Sequence, residues 1–166
     1  EPHPFQFRYA EHMESCFDLA DPFPPGWLSG LNANLSSKDT LTPDPKIVFF
    51  GAGAIGGTVG AWVAENHSNT WFYDRKEVLD RISANGITTY LGGDEKTRTT
   101  VPAKVLRSIE ELKDADVIVL GVKNYSLDGV CTELKKICGD RPIILTMQNG
   151  ADNQAIVPKY FSKVIY

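Results

Sequence analysis

Apolar residues in this chain fall into short continuous runs that alternate with longer segments of mixed polarity. Uninterrupted runs lie near residues 47–50, 70–73, 116–122 and 142–147. Runs of this length without polar alternation predict strands that are buried on both faces of a parallel sheet. The segments 76–85 and 126–137 instead place their apolar residues at helical spacing. The alternating order of strands and helices predicts an α/β fold with an open, doubly wound parallel sheet and right-handed crossovers.

Two further segments depart from this alternation. Residues 87–91 and 97–101, joined through a Gly-Gly-Asp turn, predict a hairpin inserted into the parallel pattern. Residues 1–45 are rich in proline and scattered aromatic residues, with a short helix conceivable over 5–19 and a linker over 36–45. We therefore interpret residues 1–45 as an N-terminal extension and residues 46–166 as one domain. The sequence assigns no function to the extension.

A glycine-rich stretch directly follows the first apolar run. Gly51 suits a tight turn out of the strand, Gly53 leaves room for a phosphate beside the backbone, and Gly56 lets a helix pack closely on the sheet. The first helical amides, from Ala54 and Ile55 onward, would point at the anion with the helix dipole. This spacing is a weak signal alone, but a buried strand before it and a small-residue helix after it favour a dinucleotide-binding site of the Rossmann type.

Two charged residues follow the second predicted strand. Asp74 lies about 20 residues beyond the glycine turn, where such folds place the residue that contacts the adenosine ribose. Its carboxylate favours NAD, whereas the guanidinium of Arg75 would pair with a 2′-phosphate and favours NADP. A solvated ion pair that opens a helix is the alternative for this dipeptide.

The next two strand ends also carry polar residues. Lys123 follows the run 116–122, and Asn149 precedes Gly150 after the run 142–147. A lysine at a strand end is often merely solvated, and Asn-Gly is a common tight-turn dipeptide. Because ligands in open α/β sheets lie beyond the carboxyl ends of the strands, both residues are also candidates for contacts with the nicotinamide ribose and the substrate.

Composition excludes several classes of function. The 166 residues carry a net charge of −4, and residues 46–166 are not basic enough to indicate nucleic-acid binding. No apolar run reaches the ~20 residues that cross a bilayer. The three cysteines do not form a disulfide framework, which favours a reduced, cytoplasmic protein, and His12 with Cys16 is too small a set for a metal site. Oligomeric state, including a homo-oligomer, stays open.

The motifs together resemble a known family. The segment Lys46–Gly57, Lys123 with Tyr125 shortly after it, and Gln148-Asn149-Gly150 are similar to the amino-terminal domain of the ketopantoate reductases (2-dehydropantoate 2-reductases). That family reduces ketopantoate to pantoate with NADPH, on the route to pantothenate and coenzyme A. The resemblance covers residues 46–166.

By this resemblance, Lys123 and Asn149 would lie beside the nicotinamide ribose and the keto acid, and Arg75 would bind the 2′-phosphate of NADP. Asp74 departs from the pattern, so NAD stays an alternative. The family also has a second, helical domain with a catalytic lysine, which we expect to be absent from this chain. We interpret residues 1–166 as the cofactor-binding part of a longer enzyme, inactive alone.

Two other functions remain open from the residues alone. A non-catalytic dinucleotide-sensing or interaction module would use the same glycine turn, with the aromatic N-terminal extension as its partner surface. A methyltransferase also combines a glycine turn with an acidic residue at the second strand end. Titration with NADPH, NADH and S-adenosylmethionine would discriminate among these hypotheses.

Overall fold

A computed structural model describes residues 42–90, 94–148 and 152–166 of the chain. The predicted helix over 5–19, most of the predicted linker, and Asn149 with Gly150 lie outside these ranges. The division of the chain at residue 45 therefore stays a prediction.

Six parallel strands form the main sheet. They are β1 (Ile47–Phe50), β2 (Thr70–Tyr73), β5 (Lys104–Val105), β6 (Val117–Leu120), β7 (Ile143–Thr146) and β8 (Val164–Ile165). Their spatial order is β5-β2-β1-β6-β7-β8, and every neighbouring pair is parallel. Numbered within this sheet, the order is 3-2-1-4-5-6, the arrangement of the doubly wound dinucleotide-binding fold. The predicted Rossmann-type sheet is confirmed.

Helices connect these strands. The α-helices are α1 (Ala54–Asn66), α2 (Lys76–Asn85), α3 (Leu127–Cys138) and α4 (Asp152–Ile156), and 3₁₀ turns span Glu95–Thr97, Ile109–Asp114, Asn124–Ser126 and Val157–Lys159. Ser108 and Glu111 form a capping box, and the turn it opens is 3₁₀. Helix α4 gives way to the 3₁₀ turn at Val157, where Pro158 supplies no amide donor.

The inserted hairpin lies in a separate two-stranded sheet. Strands β3 (Ile87–Thr89) and β4 (Thr99–Val101) pair antiparallel, with Ile87 opposite Val101. Gly86 ends α2 with φ +70°, and a Cβ there would lie 2.5 Å from the carbonyl oxygen of Val101. A glycine is therefore required where the chain turns from helix into hairpin.

The core has two parts, one on each face of the sheet. Successive residues of β1 belong to opposite parts. Val48 and Phe50 lie in the cluster that includes Leu127 and Leu134 of α3. Phe49 lies in the other cluster, with Phe72. Both clusters are nearly inaccessible to solvent. This two-sided burial explains why the strands read as continuous apolar runs rather than alternating ones.

Candidate functional site

The glycine turn is held between two neighbouring strands. At the end of β1, the amide of Gly51 donates to the carbonyl of Tyr73 at 2.8 Å, which continues the pairing with β2. On the other side, the amide of Gly121 donates to the carbonyl of Phe50 at 2.8 Å, which continues the pairing with β6. The turn therefore starts where the connections leaving β1 and β6 run in opposite directions, the position at which such sheets bind ligands.

Three glycines meet there, backbone against backbone. Gly51 has φ +101°, and a Cβ on it would lie 2.8 Å from the carbonyl carbon of Gly121. A Cβ on Gly56 would lie 2.0 Å from the carbonyl oxygen of Gly51, and one on Gly121 would lie 2.6 Å from the same oxygen. The sequence predicted the roles of Gly51 and Gly56. It missed Gly121, whose only signal was a glycine directly after a buried strand.

The amino-terminus of α1 faces open space. A Cβ on Gly53 would have no atom within 4 Å, and Gly53, Ala54 and Ile55 are all exposed. As the N-cap residue, Gly53 brings no side chain to the first-turn amides, and that turn carries no acidic residue. These amides and the helix dipole are therefore available to an anion, and the open space before Gly53 suits the close approach of a pyrophosphate.

A cleft of about 520 Å³ lies beside this turn. It brings together five of the residues predicted from the sequence: Gly51, Gly53, Asp74, Arg75 and Lys123. Ala54, Ile55 and Gly56 belong to the adjoining first turn of α1. Asn149 lies outside the described residues, and its predicted contact stays a prediction. The carboxyl ends of β1, β2 and β6 thus contribute to one cleft.

Asp74 and Arg75 form an ion pair but differ in how far they are buried. The Asp74 carboxylate accepts from the amide of Ala52 at 2.7 Å and from the amide of Arg75 at 2.6 Å, and its side chain is only 16% exposed. The Arg75 side chain is 83% exposed, with its Nε 3.8 Å from Asp74 Oδ1. The carboxylate bonds to the backbone of the glycine turn, and the guanidinium forms an ion pair with it, as the alternative for this dipeptide expected, while most of the arginine side chain stays in solvent.

Aromatic side chains form part of the same cleft. Tyr73 packs against Phe50, with ring centroids 5.0 Å apart, and burial, then Glu133 and Glu110, raise the pKa of its phenol. Tyr125 lies just after Lys123 and is 86% exposed. In the sequence, Tyr125 supported only the family resemblance, yet it lines the cleft, where its ring offers a flat apolar surface to a ligand.

The described residues contain neither a candidate metal centre nor a membrane span. Within the described ranges, no group of three or more His, Cys, Asp or Glu side chains is arranged to hold a metal ion. None of the helices described is both long and apolar enough to span a membrane.

The sequence matches a protein-family model. The model for "Ketopantoate reductase PanE/ApbA" matches residues 47–166. This chain belongs to the ketopantoate reductase family. The predicted resemblance is therefore confirmed, and its limits agree with the domain in which the glycine turn lies.

Individual relatives agree with the family model. The chain is 35% identical, over 106 residues, to a 2-dehydropantoate 2-reductase from Mesorhizobium japonicum, an alignment that covers 63% of this chain and 32% of that relative. The crystal structure of 2-dehydropantoate 2-reductase from Geobacter metallireducens superposes with a TM-score of 0.59 at 26% identity, covering 71% of this chain and 39% of that one. D-mandelate dehydrogenase, in a structure with NADH and anilino(oxo)acetate, shares the fold with a TM-score of 0.58 at 18% identity, covering 71% of this chain and 39% of that one.

The ketopantoate reductase domain described here spans about a third of the length of these relatives. Its relatives are oxidoreductases, and the family membership supports a nicotinamide dinucleotide as its cofactor. The open helix amino-terminus and the adjoining cleft fit that cofactor, since Gly53 places no side chain in the open space beside the first-turn amides.

Proposed function

We propose that this chain is the cofactor-binding part of an NADPH-dependent reductase that converts a 2-keto acid, ketopantoate, to the hydroxy acid pantoate. The observation that carries the proposal is the cleft at the ends of β1, β2 and β6, with the uncapped amino-terminus of α1 beside it. In this fold such a cleft binds the pyrophosphate of a dinucleotide. Hydride transfer is the chemistry that a nicotinamide supplies when bound.

Different residues of the cleft would contact different parts of the dinucleotide. The amides that follow Gly53 would bind the pyrophosphate. Arg75 would pair with the adenosine 2′-phosphate, because its guanidinium is exposed and can form two parallel hydrogen bonds to phosphate oxygens. Lys123, exposed at the end of β6, would hydrogen-bond the nicotinamide ribose or hold the carboxylate of the keto acid. Asn149 would take a neighbouring position.

The remaining chemistry requires a proton donor to the keto oxygen. By its family resemblance, a lysine of a second, helical domain would serve as the general acid. We propose that residues 46–166 bind and orient the cofactor and that this second domain completes the substrate site. Residues 1–166 alone should therefore bind the dinucleotide weakly and reduce nothing.

The experiment is made on the full-length protein that contains this domain. NADPH oxidation is followed by absorbance with ketopantoate and with other 2-keto acids, and NADH is compared at equal concentration. We expect turnover with NADPH and ketopantoate. Arg75→Ala should raise the KM for NADPH by about tenfold while leaving NADH nearly unchanged, because one charge-assisted phosphate contact contributes roughly 1.5–3 kcal/mol.

Lys123→Ala should lower kcat/KM for the keto acid. Lys136→Ala is a suitable control, because that lysine lies in the last turn of α3, away from the residues that line the cleft. Binding of NADPH without reduction of any keto acid would instead favour the dinucleotide-sensing alternative. Binding of S-adenosylmethionine in place of both nicotinamide cofactors would refute the reductase assignment.

A further inference from the structure

The contacts of Asp74 differ from those that its position after β2 predicts. An acidic residue there is expected to accept hydrogen bonds from the ribose hydroxyls and to repel a 2′-phosphate. Here each carboxylate oxygen instead accepts a backbone amide: Oδ2 from Ala52 and Oδ1 from Arg75. Ala52 is the middle residue of the glycine turn. The carboxylate therefore bonds to the protein chain at the place where the ligand should be recognised.

These hydrogen bonds extend the sheet by one step. The last backbone bond between β1 and β2 joins the Gly51 amide to the Tyr73 carbonyl at 2.8 Å. The next amide along the turn, that of Ala52, donates to the Asp74 side chain at 2.7 Å rather than to a backbone carbonyl. Bonds between an amide and an ionised carboxylate are stronger than neutral ones. The turn is thus fixed to β2 beyond the point where the strands stop pairing.

Burial and charge agree with this role. With 16% exposure, the Asp74 side chain offers little surface to ribose hydroxyls. Two amide dipoles point at its charge, and the Arg75 guanidinium lies 3.8 Å away. These positive ends offset the field that would otherwise disfavour a phosphate nearby. An acidic residue and an NADP-type arginine can therefore stand side by side.

We propose that Asp74 is a positioning residue, which holds the Ala52 peptide so that the glycine turn is preformed for the pyrophosphate, and that it does not discriminate between NAD and NADP. The proposal rests on the proposed function, because it presumes that the cleft binds a nicotinamide dinucleotide. It assigns the choice between the two cofactors to Arg75 and the affinity for both to Asp74.

The test uses the full-length protein with Asp74→Ala, Asp74→Asn and the control Glu77→Gln. Glu77 is exposed in the first turn of α2. Its substitution removes one negative charge near the same helix end but leaves the hydrogen bonds of the glycine turn in place. Dissociation constants for NADPH and NADH come from quenching of intrinsic fluorescence. Hydrogen–deuterium exchange of the ligand-free protein reports on the Ala52 amide.

We expect Asp74→Ala to raise the dissociation constants for NADPH and NADH by the same factor, about tenfold. The ratio of the two dissociation constants should change by less than about twofold. The Ala52 amide should exchange at least about tenfold faster. For Asp74→Asn, the dissociation constants and the Ala52 exchange rate should lie between those of the wild type and of Asp74→Ala, because the asparagine amide group keeps one acceptor oxygen for Ala52. Glu77→Gln should change neither readout.

A shift of the NADPH to NADH ratio by tenfold or more in Asp74→Ala would overturn the proposal, because it would make Asp74 the residue that reads the ribose. Unchanged exchange at Ala52 would overturn it as well. Should the wild-type protein bind neither dinucleotide, the proposed function fails, and the exchange measurement on Asp74→Ala still decides whether Asp74 holds the turn.

Discussion

Replacing Gly56 with alanine should destabilise the domain, although the same change usually stabilises a helix. Gly56 is the third residue of α1, and its backbone is helical, so alanine is conformationally acceptable there. The obstacle is tertiary. A Cβ would lie 2.0 Å from the carbonyl oxygen of Gly51 and 3.6 Å from the Cα of Gly121. Both neighbours are backbone atoms, which cannot rotate away, so α1 would have to move off the sheet.

The magnitude follows from two opposing contributions. Alanine in place of glycine within a helix contributes about 0.5–1 kcal/mol of stabilisation. Forcing an extra methyl group into a closely packed contact costs about 1–3 kcal/mol, and a contact roughly 1 Å closer than unbonded atoms approach lies at the upper end. We expect a net loss of about 2 kcal/mol, and a fall in Tm of about 4–8 °C.

Gly129→Ala is the matched control. Gly129 is the third residue of α3, as Gly56 is of α1, but a Cβ on it would have no atom within 4 Å. The same substitution at the same helical position should therefore raise the free energy of unfolding by about 0.5–1 kcal/mol. Thermal and urea unfolding followed by circular dichroism measure both variants. If Gly56→Ala proved as stable as Gly129→Ala, the close contact of the three glycines would be refuted.

Three further predictions concern packing, pH and thiol reactivity. Gly60→Ala should lower Tm, because its Cβ would lie 2.4 Å from the ring of Phe72, and Phe72→Leu in the same chain should recover part of the loss, which a double-mutant cycle would measure. The hydroxyl and the amide of Ser162 donate hydrogen bonds to Asp140 and hold the pKa of its carboxyl below its usual range. These hydrogen bonds therefore stabilise the fold at neutral pH, and the stabilisation is lost as the pH falls through the lowered pKa. In urea unfolding at pH 7, Asp140→Asn should therefore have a lower free energy of unfolding than the wild type, by under about 1 kcal/mol because Asp140 and Ser162 are exposed. Near pH 2 the two proteins should be equally stable. Burial raises the pKa of Cys131 to about 11, so iodoacetamide at pH 8 should leave it unmodified until urea is added, as peptide mass spectrometry would show, and rapid labelling of the native protein would contradict this.

Much of the fold could be predicted from the sequence, because its signals are local. Continuous apolar runs mark strands covered on both faces, and Ser108 with Glu111 marks a helix start by hydrogen bonds within four residues. The glycine spacing after the first run predicted the turn, its open side at Gly53, and the helix that follows. Family membership then confirmed the resemblance that these local motifs suggested.

Contacts between distant segments could not be predicted in this way. Gly121 is far from Gly51 in the chain, and only the pairing of β1 with β6 brings their backbones together, so a glycine after a buried strand did not by itself indicate this contact. Asp74 is a second example. Its position after a strand predicted a ligand contact, whereas its hydrogen bond to the Ala52 amide depends on how β1 and β2 are placed side by side.

The sequence alone thus determined which residues form strands, helices and the glycine turn, because backbone preferences and hydrophobic periodicity act over a few residues. The tertiary structure decided which of these residues are packed against one another. It turned the Asp74 carboxylate toward the Ala52 amide and left the Arg75 guanidinium in solvent. The reason is physical: a side chain near a strand end can reach a ligand or a neighbouring backbone amide, and only the register of the adjacent strand decides between them.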